Sequence, residues 1–163
     1  VAAIDLSTAP CTIGRAAAVV GDRWTLLIMR SAMLGRTRFE QFKSVLGIAD
    51  NILSSRLNKM VAAGLLTREP YNDGGRIRYH YPMTEAGAAL RPILEALAVW
   101  GHTYADPCAP ATTLLTVVHT PCGQPTSDGS FCDTCQVAIP NSEAAWLMPW
   151  LSADPMPVAD AAH

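Results

Sequence analysis

After Arg91 the sequence has no Arg or Lys at all, although nearly half of its 163 residues still follow. All twelve basic residues lie between Arg15 and Arg91, and only six acids share that window. Beyond Asp106 the charged residues are all acidic: Asp128, Asp133, Glu143, Asp154 and Asp160. The net charge of -2 therefore hides a basic body and an acidic tail, a distribution that suits a polyanionic partner on the body. Ordinary solvated charge gives the same tally, so the distribution alone leaves both readings open.

Long hydrophobic runs are missing as well. The longest uncharged stretch, Pro107 to Ser127, contains four prolines and several polar residues, which a membrane-spanning helix does not tolerate. The first residues show neither the basic start nor the apolar core and small-residue cleavage site of a secretion signal. A cytoplasmic protein without membrane contact is the expectation. Only 16% of residues are charged but half are apolar, which is the composition of a folded chain with room for one ordinary domain and an appendage.

Apolar residues recur at helical spacing over 13–20 and again over 24–34, separated by "GDRW" with Asp22 as a cap, which predicts two short packed helices. Trp24 is read as core. "TRFEQFKSVLG" follows, with Thr37 and Glu40 at the spacing of a capping box and Gly47 as the stop. "DNILSSRLNKMVAAG" then begins a further helix, with Asp50 as its cap and Gly64 as its end. On that helix Leu53, Leu57, Met60 and Val61 share one face, while Asn51, Ser55, Asn58 and Lys59 fall opposite. Short amides and hydroxyls can approach base edges, whereas a plain solvated face usually carries more Glu and Lys.

Two extended segments, "LLTREPY" and "RIRYHYP", flank "NDGG", whose Asp-Gly pair predicts a tight hairpin turn. Alternation sends Ile77, Tyr79 and Tyr81 to a packed face and Arg76, Arg78 and His80 to a basic one. From Thr84 to Tyr104 a stripe of Leu90, Ile93, Leu94, Leu97, Trp100, Gly101 and Tyr104 predicts a long helix, kinked or restarted at Pro92. The stripe is broader than so small a body needs, which predicts burial against a second copy, with help from the first helix.

Helix, helix, helix-turn-helix, basic hairpin and long helix make a winged helix-turn-helix: an α+β fold, mainly α, with a small β-hairpin wing and a long C-terminal dimerisation helix. From Cys11 to about Trp100 the chain resembles the HxlR branch of the MarR-like winged-helix transcriptional regulators, through "GDRWTLLIMR", "RTRFEQFKSVLGI", "LSSRLNKMVAAGLLTRE", "RYHYPMTEAG" and "LRPILEALAVWG". The resemblance implies a non-enzymatic homodimer that binds a pseudo-palindromic double-stranded DNA operator as repressor or activator, its second HTH helix in the major groove. It assigns Asn51, Ser55, Asn58 and Lys59 to the groove, Thr37 and Arg38 to phosphates, and Arg76 and Arg78 to the wing. Arg56 matches a characteristic family arginine, with an internal salt bridge or a phosphate as its partner. Where the family usually has Ser-Pro and a basic residue this chain has Ala49, Asp50 and Asn51, and His80 stands where an acid is common. Cys11 coincides with a cysteine that senses oxidants or electrophiles in some members; a buried inert thiol is the alternative, and a small-molecule effector in the dimer crevice is a further possibility.

Five cysteines cannot all pair with one another, and three of them crowd into "HTPCGQPTSDGSFCDTC". His119, Cys122, Cys132 and Cys135 follow H-x2-C-x9-C-x2-C, a pattern of two ligand pairs able to grip one tetrahedral zinc. "TLLTVVH" reads as a strand leading into the first pair, so a small zinc ribbon over 112–140 is expected, and some members of the resembled family carry such an extension. The competing reading is a redox dithiol at Cys132 and Cys135. A zinc enzyme is remote, because deaminase-type chemistry needs a glutamate two residues after the histidine, where Pro121 stands, and all four metal positions are filled. Cys108 reads as a linker cysteine. The expected organisation is a DNA-binding and dimerisation domain over 1–106, an extension over 107–153 in which "NSEAAWLMPWL" docks on the body or a partner, and disorder over 154–163.

Overall fold

A computed structural model describes Thr8, residues 10–105 and residues 114–162; Cys108 lies outside the described residues. Two compact units are present, one formed by residues 1–32 and 36–87, the other by 33–35 and 88–163. The helix expected to close the first domain therefore groups with the cysteine-rich extension instead, because its buried face is covered by extension residues.

The first unit carries α1 (Thr12–Val20), α2 (Arg23–Met33), α3 (Phe39–Leu46), α4 (Asp50–Ala62) and the antiparallel pair β1 (Glu69–Asp73) and β2 (Arg76–His80). Asp22 caps α2 as expected, its Oδ1 accepting the Trp24 and Thr25 amides at 3.0 and 3.4 Å. The box at the start of α3 differs from expectation. Gln41, not Glu40, reaches back, its Oε1 accepting the amides of Thr37 and Arg38 at 3.0 and 2.9 Å. The helix begins at Phe39, one turn residue later than a Thr37 cap requires, and that shift moves the third helical position to Gln41. Asp50 is likewise not a cap: Ala49 precedes α4 without a side-chain bond, and Asp50 pairs with Lys43 at 2.9 Å across the turn.

Ile28, Met29, Phe42, Leu53 and Leu57 are fully buried and Met60 nearly so, giving the core on which α4 rests. Each such side chain contributes about 1.5–3 kcal/mol by leaving water. Trp24 is half-buried rather than core, with the Arg23 guanidinium 5.0 Å from its ring centroid. The expectation of a packed first helix fails outright, since α1 buries none of its residues and Ile13 stays 78% exposed.

The hairpin turn is Gly74-Gly75, not Asp73-Gly74. Both glycines have positive φ (59° and 86°), and Asp73 pairs with Arg76 as the last rung. A two-residue turn of this hand needs positive φ twice, which two glycines supply at less steric cost than Asp-Gly. The packed face expected for β2 holds only at its base: Tyr81, just beyond the strand, is buried, but Ile77 near the tip is 71% exposed. Thr84 closes the unit by accepting the Gly87 amide at 3.1 Å at the start of α5 (Glu85–Ala88) while donating to the Gly64 carbonyl.

In the second unit α6 runs from Arg91 to Trp100 and continues as a π-type turn over Gly101–Ala105. Pro92 lies in its first turn, where the missing amide costs nothing, so the restart reading is the right one. The stripe expected to be one apolar face is divided. Leu90, Arg91, Leu94 and Glu95 are buried, while Ile93, Leu97, Trp100 and Tyr104 are exposed.

The buried side is covered by a four-stranded antiparallel sheet in the order β4 (Gln124–Pro125), β3 (Thr116–His119), β7 (Ala144–Leu147), β8 (Met156–Pro157), next to a small hairpin of β5 (Phe131–Cys132) and β6 (Val137–Ala138). Fully buried Trp146 donates its indole N–H to Glu95 Oε1 at 2.7 Å, and Arg91 Nη2 donates to the Ile139 carbonyl at 2.6 Å. Burial holds the Glu95 carboxyl above its ordinary pKa, opposed by the Trp146 bond and Arg91. The segment "NSEAAWLMPWL" thus supplies a central strand. Disorder from Asp154 is overturned too, because β8 pairs with β7, the Val158 amide bonds the Ala144 carbonyl, and the Ala159 amide bonds the Met33 carbonyl.

Candidate nucleic-acid interface and metal centre

The outward face of α4 follows from the inward one. With Leu53, Leu57 and Met60 in the core, Asn51, Ser55, Asn58 and Lys59 are all exposed, together with Ile52 and Ser54. Arg56 sits between the faces and pairs with Asp22 at 3.2 Å, both side chains about one-third exposed, so of its two candidate partners the internal one is taken. The Lys43–Asp50 pair neutralises the acid that distinguishes the start of this helix, and it raises the Lys43 pKa through the Asp50 hydrogen bond.

A groove of about 590 Å³ separates the start of α3 from the hairpin, lined by Arg38, Tyr71, Arg76, Arg78 and Tyr79 among others. The Arg38 guanidinium lies 5.1 Å from the Tyr71 ring, and that ring stacks on His80 at 4.2 Å. Thr37 is half-buried, its hydroxyl 3.3 Å from His80 Nδ1, so Thr37 holds the hairpin base and Arg38 is the exposed member of that pair. Arg76 is exposed, and Arg78 is exposed but bonded to Asp73 at 2.8 Å. Surface pairs of this kind contribute only about 0–1 kcal/mol, which leaves Arg78 able to exchange its partner. Two residues outside the sequence-derived set belong here: Tyr71, and Arg68, whose guanidinium lies 3.6 Å over Tyr79. Their cross-strand neighbours follow only from the Gly-Gly register, which an Asp-Gly turn shifts by two residues.

Cys11 is exposed at the N-terminal end of α1 and makes no capping bond, and Arg15 bonds the Pro10 carbonyl at 3.4 Å. Within one chain the Cys11 thiol is therefore exposed, not buried as the alternative reading has it.

The cysteine-rich stretch forms two matching turns. His119 ends β3 and its carbonyl accepts the Gly123 amide at 2.8 Å; Cys132 ends β5 and its carbonyl accepts the Gln136 amide at 2.7 Å. The residue after each second ligand is left-handed, Gly123 at φ 70° and Gln136 at φ 59°, the latter the one such non-glycine among the described residues. A left-handed residue at this point turns the chain back sharply just after the second ligand of each pair. The turns bring one ligand atom each from His119, Cys122, Cys132 and Cys135 within 4.8 Å of one another. Cys122 and Cys132 sulfurs are 3.6 Å apart, far beyond a disulfide bond of about 2.05 Å. It agrees with the separation of roughly 3.8 Å that two sulfurs at 2.3 Å adopt around a tetrahedral zinc.

The neighbouring donors shift one another's protonation. The Gln124 amide brings the Cys122 thiol down to about 7 against its burial, with His119 assisting, while contact with Cys122 pushes Cys135 up to about 11. His119 is raised, chiefly by Cys122 and also by Glu143, whose Oε2 lies 3.2 Å from Nε2. The cluster is chemically able to hold a metal ion, and Cys132, 1% exposed with the Cys135 amide 3.3 Å from its sulfur, is poorly placed for a solvent-facing redox dithiol.

The chain has known relatives. The family described as HxlR-like helix-turn-helix matches residues 19–109. The Mycobacterium tuberculosis protein Rv3095, an HTH-type transcriptional regulator of uncharacterised role, is 39% identical over 124 residues, covering 76% of this chain and 77% of that protein. The chain belongs to the HxlR-like helix-turn-helix family. It is accordingly an HTH-type transcriptional regulator. Among its HxlR relatives, Bacillus subtilis YkvN is 34% identical over 89 residues, covering 54% of this chain and 75% of that one. The crystal structure of PA1607, described as a proposed transcription factor, superposes with a TM-score of 0.67 at 33% identity over 83% of this chain and 92% of that one. An overlap of that length reaches beyond the family-matched region, so this HxlR chain shares part of its extension with PA1607. Among the described residues, no helix is long and apolar enough to cross a membrane.

Proposed function

We propose that the protein acts as a non-catalytic cytoplasmic homodimer that presents α4 to the major groove of a double-stranded operator, with the hairpins as wings on the flanking backbone. The observation that carries this reading is the division of α4: Leu53, Leu57 and Met60 are buried while Asn51, Ser55, Asn58 and Lys59 form a bare, short-chained polar face. Arg38 and Arg76 supply free cations for phosphates, and Arg78 joins them by leaving Asp73. Thr37 acts through its backbone and His80, and Arg56 acts through Asp22 rather than on DNA.

Each neutralised phosphate releases counterion, so the wing sets the salt dependence. Replacing Arg76 and Arg78 with Ala is expected to weaken binding to all sequences alike and to flatten the plot of log affinity against log salt by about two units of slope. Titration of the DNA upstream of its own gene at several salt concentrations measures this, and an unchanged slope removes the wing from the interface.

Dimerisation is supported by two apolar faces that the chain leaves bare, all of α1 and the Ile93, Leu97, Trp100, Tyr104 side of α6. Their combined exposure exceeds what isolated surface hydrophobes need. Ile13→Glu together with Trp100→Glu is expected to convert the dimer to monomer in light scattering and to lower operator affinity at least tenfold. A variant that remains dimeric refutes the assignment of these faces.

For the extension we propose structural zinc, one per chain, held by His119, Cys122, Cys132 and Cys135. A closed set of three thiolates and one imidazole leaves no position for an activated water.

A second reading concerns regulation. Cys11 is exposed at a helix N-terminus, and the structural relative HypR, at 26% identity and a TM-score of 0.54, is described as a redox regulator. Operator binding that is lost with oxidant in the native chain but kept in Cys11→Ser supports it. A small effector in a dimer crevice remains a proposal of the resemblance alone.

A further inference from the structure

His119 is 2% exposed, and its Nδ1 faces the sulfur cluster, 3.3 Å from Cys122. Its other nitrogen, Nε2, faces Glu143 Oε2 at 3.2 Å. Glu143 is not among the residues whose ligand atoms converge, and it meets the ring on the side away from the sulfurs. A carboxylate only accepts, so this contact requires the proton on Nε2, and the neutral ring that makes it keeps its lone pair on Nδ1. Without the carboxylate that N–H is a donor buried without a partner, and the ring is free to take the opposite tautomer, which presents a hydrogen to the ion.

The backbone fixes Glu143 independently of its side chain. Its carbonyl accepts the Thr120 amide at 2.9 Å and the Thr120 hydroxyl at 3.1 Å, and its own amide bonds the Pro140 carbonyl at 3.1 Å. The next residue, Ala144, is the register partner of His119 where β3 and β7 pair. The strand that carries Trp146 to Glu95 therefore begins one residue after the one that holds the histidine ring.

We propose that Glu143 is a positioning residue of the metal centre, fixing the His119 tautomer that offers Nδ1 to the ion. This rests on the zinc reading above and deepens it. The carboxylate bonded to a ligating histidine also raises its basicity, and loss of such a partner typically weakens metal binding by about 10–100-fold.

The test uses the full chain and zinc alone, with affinity measured against a chromophoric chelator. Glu143→Ala is expected to weaken zinc binding by about 10–100-fold, and Glu143→Gln, whose amide oxygen still accepts from Nε2, to recover most of it. In a His119→Cys background there is no ring to orient, so Glu143→Ala is expected to change affinity less than about threefold in a double-mutant cycle. Nitrogen-proton correlation spectra of the zinc-loaded native chain are expected to show His119 protonated at Nε2. Equal losses in both backgrounds, no loss in the native one, or an Nδ1-protonated ring each overturn the proposal. Failure of the native chain to take up zinc overturns the metal reading itself, whereas uptake with an indifferent Glu143→Ala overturns only the role of Glu143.

Discussion

Placing glutamates at Ser55 and Asn58 is expected to abolish operator binding, with a loss of at least about 100-fold, or roughly 2.7 kcal/mol. Both positions are exposed on α4, so the core of Leu53, Leu57 and Met60 is untouched and helix propensity improves. The change acts through charge: two carboxylates set against base edges and phosphates, where like charges at an interface cost several kcal/mol. Gel-shift titration measures the affinity, circular dichroism and light scattering confirm fold and assembly, and binding within threefold of the native chain ends the assignment of α4 to the groove. Because Arg56 is engaged with Asp22, Arg56→Ala belongs to a different class. It removes a pair about one-third exposed and so reads out in stability before it reads out in DNA affinity.

Cys132→Ser, or zinc withdrawal with a chelator, is expected to unfold the extension while leaving α2, α3, α4 and the hairpin folded. Cys132 is the most buried of the four ligands, and the short strands β4, β5 and β6, two residues each, have little else to hold them. Structural zinc of this type supplies on the order of 10–16 kcal/mol of apparent binding free energy at neutral pH, more than so small a sheet has from burial alone. Elemental analysis should fall from about one zinc per chain to none. Amide exchange should rise across 114–162 and not over α4, and the fully buried Trp146 should shift its emission to the red as it leaves Glu95. Retained protection over 114–162 without metal contradicts the dependence on zinc.

Much of the winged helix-turn-helix was legible because its signals are local. Helical periodicity located α2, α3 and α4, and the inward set Leu53, Leu57 and Met60 fixed which polar residues face out. The spacing of His119, Cys122, Cys132 and Cys135 located the cluster because two tight turns are the local answer to H-x2-C and C-x2-C. What escaped depended on contacts distant in sequence or on single-residue offsets. Glu143 lies 24 positions from His119 and joins it only when β7 pairs with β3. Gln41 displaced Glu40 because α3 starts one residue later than Thr37 alone suggests, and Gly74-Gly75 displaced Asp73-Gly74 by the same margin. The expected disorder after Asp154 rested on composition, and composition does not register that Met156 and Pro157 complete a sheet edge.

One more consequence concerns α1. A nine-residue helix with no fully buried residue draws little support from the described residues of its own chain, and isolated helices shorter than about 12–15 residues are marginal in water. In the proposed dimer, ordering of this segment is then completed by the partner subunit. Below the dissociation constant of that dimer, dilution should bleach part of the far-ultraviolet helix signal, making the quantity of folded α1 in a cell a function of how much protein has been synthesised.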